Sequence, residues 1–298
     1  RDDVESRGLG DVYKRQAIMT PGEFCYFDSY QDAPDSQPEA IGGYLPLSKV
    51  YSFNPVPDTL SAEKVGLVYG VQANLFTEYI PTPEHAEMMI YPRVLALAEV
   101  AWSAPSKKNY EDFHVRALKA VEELKKSGYN SFELKNEIGN RPGADKPVEH
   151  LAVGKKVTYG LDAAYYPGYA AGGDTALVDG VRGGWTYGDK RWQGFIDKKR
   201  MDITIDLEKE TELHFIGADF MQVCGPEVFM PAEVIISISD DGKDFTELKH
   251  IEHKVVKDDK VTFTNFGWEG NAKGRYVRYQ ATSGEFGGFL FTDEVVIK

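Results

Sequence analysis

The chain has 298 residues, of which 42% are hydrophobic and 27% charged, so it is long enough for about two domains that each bury a core. Its formal net charge is −13, which argues against a nucleic-acid-binding protein, because such a protein needs a basic surface. No run of about 18 apolar residues occurs, so no membrane span is predicted, and Cys25 and Cys224 are predicted to be free thiols.

Residues 1–16 combine charged and small side chains without the period of a helix or a strand. Two interpretations fit this pattern: a frayed, disordered terminus, or a segment that is not native sequence. Neither contributes to the fold, so we expect the first folded segment to begin at residue 17.

Two short segments then repeat one pattern, an aromatic residue with a carboxylate two positions later. Tyr26 and Asp28 end the segment AIMTPGEFCYFD, and Phe76 and Glu78 end the segment GVQANLFTE. Because side chains at i and i+2 of a strand share a face, each segment predicts a strand that presents a ring and a carboxylate together. The intervening residues are rich in Pro, Gly and Asp and predict a long loop with a short helix near Pro46–Ser52, as in a parallel strand pair joined by a crossover.

An aromatic ring beside carboxylates is suited to sugar binding. The ring stacks on the apolar face of a pyranose, and the carboxylates accept hydrogen bonds from its hydroxyls. A simpler interpretation stays open, in which Phe76 is a core residue and Glu78 caps the following helix. Asp28 and Glu78 could in principle be the carboxylate pair of a glycosidase, but nothing in the sequence indicates that either has a raised pKa.

Two helices are predicted next. Thr82, followed by Pro and Glu, forms a helix N-terminus, and apolar residues from Met88 to Trp102 recur every three to four positions as one face. Asn109 opens a second helix, and Gly128 closes it after two lysines.

The character of the sequence changes in the second half. Residues 137–153 hold Gly, Pro and charged residues without an apolar period and predict a linker. Residues 154–298 alternate apolar and polar residues in short segments, with an Asp241-Gly242 turn between two of them. We therefore predict an α/β part over residues 17–136 and an antiparallel β-sandwich after the linker.

The segments AIMTPGEFCYFDSYQ, GVQANLFTEYI and EMMIYPRVLALAEVAWS resemble the carboxyl-terminal end of the catalytic barrel of family-20 glycoside hydrolases, the β-N-acetylhexosaminidases. The resemblance implies the last two strands and helices of a (βα)8 TIM barrel. It also implies an exo-acting enzyme that releases terminal, non-reducing N-acetylhexosamine from glycans with retention. In that mechanism the substrate's own N-acetyl group is the nucleophile, and no cofactor takes part.

The same resemblance implies roles for four residues. Tyr26 matches the tyrosine that bonds the N-acetyl group, and Asp28 and Glu78 match the acids that hold hydroxyls of the non-reducing-end sugar. Phe76 stands where the family usually has a stacking tryptophan. The resemblance also implies a periplasmic, secreted or cell-surface location; this expectation does not come from a signal peptide, since none is visible in the sequence.

One feature of the family has no counterpart here. Its catalytic Asp-Glu pair lies in a His-x-Gly-Gly-Asp-Glu-type motif, which does not occur, and Asp293-Glu294 falls inside the predicted sandwich. A barrel also needs about 250 residues, roughly twice the length available before the linker. We expect a fragment with an incomplete barrel that is inactive alone; the alternative is a non-catalytic carbohydrate-binding protein.

The second half resembles discoidin-like (coagulation-factor type C) modules of the galactose-binding-like, jelly-roll fold. The segments that carry this resemblance are Thr175–Gly180, Arg191–Phe195, Phe229–Val234, Ser239–Phe245 and Arg275–Arg278, together with Trp185.

That resemblance implies a structural Ca²⁺ bound by loop carbonyls, Asp179 and Glu294, since oxygen ligands suit calcium. The alternative is that Asp179 only makes its turn and Glu294 is a solvated strand residue. Trp185, Tyr187 and Trp192 could form a sugar platform, or they could be core and loop-packing aromatics.

Overall fold

The computed structural model describes residues 16–161, 164–196, 201–258 and 260–298. The chain forms two compact units that divide between Gly139 and Asn140, within the stretch predicted as a linker. The predictions for residues 1–15 lie outside the described residues. Cys25 and Cys224 are free thiols, as predicted.

The first unit contains a small parallel sheet and several helices. Its elements are β1 (Ala17–Met19), α1 (Gly22–Cys25), α2 (Leu47–Ser52), α3 (Ala62–Val65), β2 (Val68–Val71), α4 (Pro83–Ile90), α5 (Arg93–Trp102) and α6 (Tyr110–Lys126). β1 pairs with β2 in parallel, as the predicted crossover requires. The predicted short helix is α2.

Neither strand reaches the residues predicted to lie on it. β2 ends at Val71, before Phe76 and Glu78, and α1 separates β1 from Tyr26. A single parallel bridge between Tyr26 and Asn74 continues the pairing. The prediction that each ring and carboxylate share one strand face is therefore wrong, because a helical turn and a loop replace the expected strand ends.

The two predicted helix N-caps, Thr82 and Asn109, form as predicted. The Thr82 hydroxyl accepts a backbone N–H from the first turn of α4 at 3.1 Å, and the Asn109 side chain accepts one from α6 at 3.0 Å. Gly128 follows α6 with φ +89°, a conformation that a glycine adopts without steric cost.

The predicted continuous apolar face from Met88 to Trp102 is wrong. Two helices, α4 and α5, meet at Tyr91 and Pro92, where the proline lacks the N–H that a continuing helix needs. Met88 and Leu95 pack against the same core, but Ala98 and Trp102 of the predicted face are exposed, Trp102 by 93%. The core of the unit joins residues of α2, α5 and α6 with the segment after α1, among them Phe27, Val50, Ala96, Val100, Phe113 and Val121.

The second unit is built on one antiparallel sheet of seven strands. They are β3 (Lys156–Tyr159), β4 (Gln193–Ile196), β5 (Met201–Gln222), β6 (Pro231–Ser239), β7 (Thr246–Glu252), β8 (Thr262–Ser283) and β9 (Phe289–Ile297). Their order is β4-β9-β5-β8-β6-β7, with β3 also paired to β5. The predicted Asp241-Gly242 turn connects β6 to β7.

The two longest strands, β5 and β8, connect the other strands of the sheet. β5 and β8 have 22 residues each and pair from Met201–Ala281 to Gln222–Thr262, with interruptions between Asp206 and Thr211 and between Leu213 and Phe215. Near its start β5 also pairs with β3, where Ile205 lies opposite Val157, and near its end with β9, where Ala218 lies opposite Val295. Ile205 and Ala218 are fully buried in the same core, so one bent sheet encloses it. Among the described residues, no helix is long and apolar enough to cross a bilayer.

Candidate functional site

The first unit brings together the two aromatic residues singled out by their spacing. Tyr26 follows α1, and Phe76 lies in the loop after β2. Their rings meet edge to face, with centroids 5.4 Å apart and planes at 64°. Phe76 remains 48% exposed, so the pair forms an aromatic wall that faces solvent.

Two carboxylates accompany this wall. Asp28 is only 5% exposed, and its Oδ1 atom is buried without a hydrogen-bond partner among the described residues. Burial raises the pKa of Asp28, the negative charge of Glu78 raises it further, and its own backbone N–H and the charge of Arg93 oppose the rise. Glu78 is exposed. The four predicted site residues thus come from two loops and offer a ring face and free carboxylate oxygens.

Arg93, at the start of α5, was not predicted as a functional residue. Its side chain is fully buried and donates to backbone carbonyl oxygens on both sides of Asp28, those of Phe27 at 2.5 Å and Ser29 at 2.9 Å. The signal in the sequence is a single arginine inside the apolar helical segment MMIYPRVLALA, which indicates a buried charge with an internal partner.

An open depression of about 330 Å³ adjoins Glu78. It is lined by Pro38, Glu39, Glu78, Tyr79, Pro81 and His85. The Nε2 atom of His85 is buried without a hydrogen-bond partner among the described residues, and burial lowers the pKa of this imidazole. The depression therefore extends the polar side of the site with groups that spacing along the chain did not indicate.

In the second unit the three predicted platform aromatics have different environments. Trp192 is 1% exposed, so its ring is not an accessible stacking face and the prediction is wrong for this residue. Trp185 packs edge to face on Phe263 with ring centroids 5.7 Å apart, and Tyr187 stacks on Phe291 at 4.8 Å. Both Trp185 and Tyr187 keep part of their surface exposed and remain predicted sugar contacts.

The two predicted calcium ligands lie in different surroundings. Glu294 is fully buried, which excludes the alternative of a solvated strand residue; its Oε1 accepts from His150 Nε2 at 2.7 Å and from the Gly180 N–H at 3.0 Å. Its Oε2 has no hydrogen-bond partner among the described residues. Asp179 accepts the Val181 N–H at 2.8 Å, as a turn residue does.

The side chains alone do not make a complete metal site there. Among the described residues, no group of three or more His, Cys, Asp or Glu side chains is arranged to hold a metal ion. Burial raises the pKa of Glu294, the bond from His150 lowers it, and the charge of Asp179 raises it. Asp179 and Glu294 are therefore close enough to repel each other, and a cation between them would need backbone carbonyls as further ligands.

Comparison with protein families agrees with both halves of the sequence interpretation. Residues 13–105 match the catalytic domain of glycosyl hydrolase family 20, and residues 162–295 match the F5/8 type C domain. Among curated relatives, the β-hexosaminidase of Porphyromonas gingivalis is 46% identical over 114 residues, which are 38% of this chain and 15% of that protein. The β-N-acetylhexosaminidase of Cellulomonas fimi is 31% identical over 99 residues, which are 33% of this chain and 20% of that protein. The chain thus spans a fifth or less of these relatives.

Solved structures align with part of this chain. The family-20 β-N-acetylhexosaminidase of Streptomyces coelicolor A3(2) aligns with a TM-score of 0.38 and 23% identity over 44% of this chain and 27% of that chain. Chitosan-binding module 1 of a chitosanase/glucanase from Paenibacillus sp. IK-5 aligns with a TM-score of 0.35 and 15% identity over 50% of this chain and 98% of that chain.

Proposed function

We propose, from the premise that the chain joins a segment of a family-20 glycoside hydrolase catalytic domain to an F5/8 type C domain, that residues 17–136 form the carboxyl-terminal part of the catalytic barrel of an exo-β-N-acetylhexosaminidase. The observation that carries the proposal is the Tyr26–Phe76 wall with Asp28 and Glu78 on the same two loops. In this proposal the site holds the terminal N-acetylhexosamine of a glycan.

Each of the four side chains has a chemical role in the proposal. The exposed ring of Phe76 stacks on the apolar face of the sugar. The Oδ1 atom of Asp28, which has no partner among the described residues, and the exposed carboxylate of Glu78 accept hydrogen bonds from the sugar hydroxyls. The Tyr26 hydroxyl bonds the N-acetyl oxygen and so orients that group to attack the anomeric carbon. This substrate-assisted route gives retention through an oxazolinium intermediate.

The small sheet of the first unit supports the proposal of an incomplete barrel. β1 and β2 are its two strands, and apolar side chains on both are exposed: Ile18 by 56% and Tyr69 by 71%. Parallel sheets are normally covered on both faces, so these side chains favour further barrel strands in a longer polypeptide. In this proposal the acid that protonates the leaving group lies on those strands.

The first prediction is that the purified 298-residue chain does not hydrolyse a chromogenic N-acetylglucosaminide, because it lacks the Asp-Glu catalytic pair. The assay compares release of the chromophore with that of buffer alone, while circular dichroism verifies that the chain is folded. Turnover above buffer that is lost in Tyr26→Phe would contradict inactivity and still support the sugar site. Turnover unaffected by that substitution would contradict both.

We also propose that residues 154–298 form a carbohydrate-binding module, and that the whole protein works on glycans in the periplasm, outside the cell or at its surface. Trp185 and Tyr187 are its proposed sugar contacts. Titration of this chain with N-acetylglucosamine or galactose while tryptophan fluorescence is followed tests the module. A saturable change that Trp185→Ala abolishes and Phe76→Ala preserves assigns binding to the module. A change with the opposite pattern assigns it to the first unit.

A structural Ca²⁺ in this module is a further proposal, supported by the buried, unpartnered Oε2 of Glu294 and the nearby carboxylate of Asp179. Calcium would supply the positive charge that both oxygens lack. We predict that a chelator lowers the melting temperature of the chain and that excess Ca²⁺ restores it. A melting temperature unchanged by chelation would show instead that the hydrogen bonds from His150 and the Gly180 N–H are enough to hold Glu294 without a metal ion.

A further inference from the structure

The buried guanidinium of Arg93 uses all of its hydrogen-bond donors. Its two Nη groups donate to the carbonyl oxygens of Phe27 at 2.5 Å, Ser29 at 2.9 Å, Leu45 at 3.2 Å and Met89 at 2.6 Å, and Nε donates to Met89 at 3.0 Å. A guanidinium has five N–H groups, and each finds an acceptor here. The acceptors belong to three separate stretches of chain, which Arg93 ties together.

This position is costly for a charge. Arg93 is fully buried, and burial lowers its pKa to about 9, while the negative charge of Asp28 opposes that effect. The hydrogen bonds that the structure records for it go to neutral carbonyls, so only part of the desolvation cost is offset locally. The ring of Phe27 lies 5.0 Å from the guanidinium carbon and adds a cation–π contact.

Two of the carbonyl groups that accept hydrogen bonds from Arg93 belong to the residues on either side of Asp28 in the chain. Because Phe27 and Ser29 are both held through their carbonyls, the backbone of Asp28 is restrained from both directions. The charged groups that act on the Asp28 carboxylate are Glu78, which repels it, and Arg93, which attracts it. Arg93 is therefore the cation that offsets the Glu78 charge at this point.

We propose that Arg93 is a positioning residue for the sugar site: it fixes the backbone that carries Asp28 and supplies the positive charge that opposes Glu78 at the Asp28 carboxylate. The assignment builds on the proposed role of Asp28 as a hydroxyl acceptor. It predicts that the site depends on a residue that itself never touches the sugar.

The test is an NMR titration of the Asp28 side-chain carbon in the 298-residue chain. In Arg93→Gln the Asp28 pKa is expected to rise, because the compensating charge is gone. In Arg93→Lys, which keeps the charge, it is expected to stay close to that of the parent. Arg116→Gln is the matched control, since Arg116 is half exposed and pairs with Glu99 and Asp112.

A residue that only stabilises the fold would lower the melting temperature without moving the Asp28 titration, and that result would overturn the proposal. If Arg93→Gln does not fold, Arg93→Lys carries the test through backbone amide exchange at residues 27–29. The loss of the planar fork is expected to speed that exchange at least about tenfold relative to Arg116→Lys. Equal exchange rates would overturn the proposal. Neither measurement involves sugar, so its outcome is separate from that of the proposed function.

Discussion

At the scale of single residues, the candidate site places two acids close enough that the charge of one disfavours ionisation of the other. Asp28 is almost fully buried, one of its oxygens has no hydrogen-bond partner within the described part of the chain, and Glu78 adds negative charge to its surroundings. Spacing in the sequence indicated both acids and both aromatic rings, because those residue types recur in one short pattern. No spacing pattern indicates Arg93 or His85, since their relation to the site exists only after α4 and α5 fold against the two loops.

We predict that Glu78→Gln lowers the pKa of Asp28, because it removes the repelling charge. Asp28 has a raised pKa in the folded state, so the stability it contributes is complete at low pH and is lost as pH rises through that folded pKa. In Glu78→Gln this loss is smaller, and stability at pH 7 is expected to rise by up to about 0.5 kcal/mol. Urea unfolding at pH 4 and pH 7 measures the effect.

Asp58→Asn is the control, since Asp58 is an exposed acid on the loop between α2 and α3. It is expected to change the pH dependence of stability far less. A larger pH-dependent loss in Glu78→Gln than in the parent would contradict the interaction between Glu78 and Asp28.

At the scale of elements, short sequence patterns correctly predicted the helix starts and turns that depend only on neighbouring residues. The N-caps Thr82 and Asn109 and the Asp241-Gly242 turn are short-range features, and all three form as predicted. The strand end expected at Phe76 did not form, and Trp192 lies in the core, because both depend on distant packing. Hydrophobic periodicity cannot tell which of several aromatics a sheet will cover.

One link between elements has a defined hydrogen-bond direction. The Nδ1 atom of His150 lies 3.3 Å from the Ala152 N–H and 3.4 Å from the Ile297 N–H, both of which donate to it. Nδ1 is therefore an acceptor, so Nε2 carries the proton and donates to Glu294. This imidazole ties the segment before β3 to the last strand, β9.

We predict that His150→Ala destabilises the second unit by about 2–4 kcal/mol, because it removes one of the two donors to the buried Glu294 carboxylate and opens a cavity. Chemical denaturation followed by tryptophan fluorescence measures the change. His214→Ala is the matched control, since His214 is an exposed histidine that bonds Asn271 on the sheet surface. Equal effects of the two substitutions would contradict the importance of the Glu294 contact.

At the scale of the whole molecule, the two units differ in how completely each covers its own apolar core. The second closes its core with one continuous sheet, whereas the first exposes apolar side chains on a sheet of two strands. The change from helical to alternating patterns predicted two parts. No local signal shows which part is self-sufficient, because that depends on how each core is covered.

We predict that residues 140–298, produced alone, fold with a single cooperative thermal transition, because the unit has its own buried core. Residues 16–139 alone are expected to associate through the exposed apolar surface around Ile18 and Tyr69. Differential scanning calorimetry and light scattering distinguish the two. A broad, non-cooperative transition for residues 140–298 would contradict the prediction.

The length of β5 and β8 also sets the order in which the second unit can assemble. Gln222 pairs with Thr262, 40 positions away, whereas Met201 pairs with Ala281, 80 positions away. Closing the shorter loop first loses less chain entropy, and the β6–β7 hairpin inside it brings the ends nearer. Pairing of the two strands is then expected to proceed from Gln222 toward Met201, and β3, which pairs near Met201, is expected to join the sheet last. Because these contacts join residues far apart in the chain, folding of the unit is expected to take milliseconds to seconds.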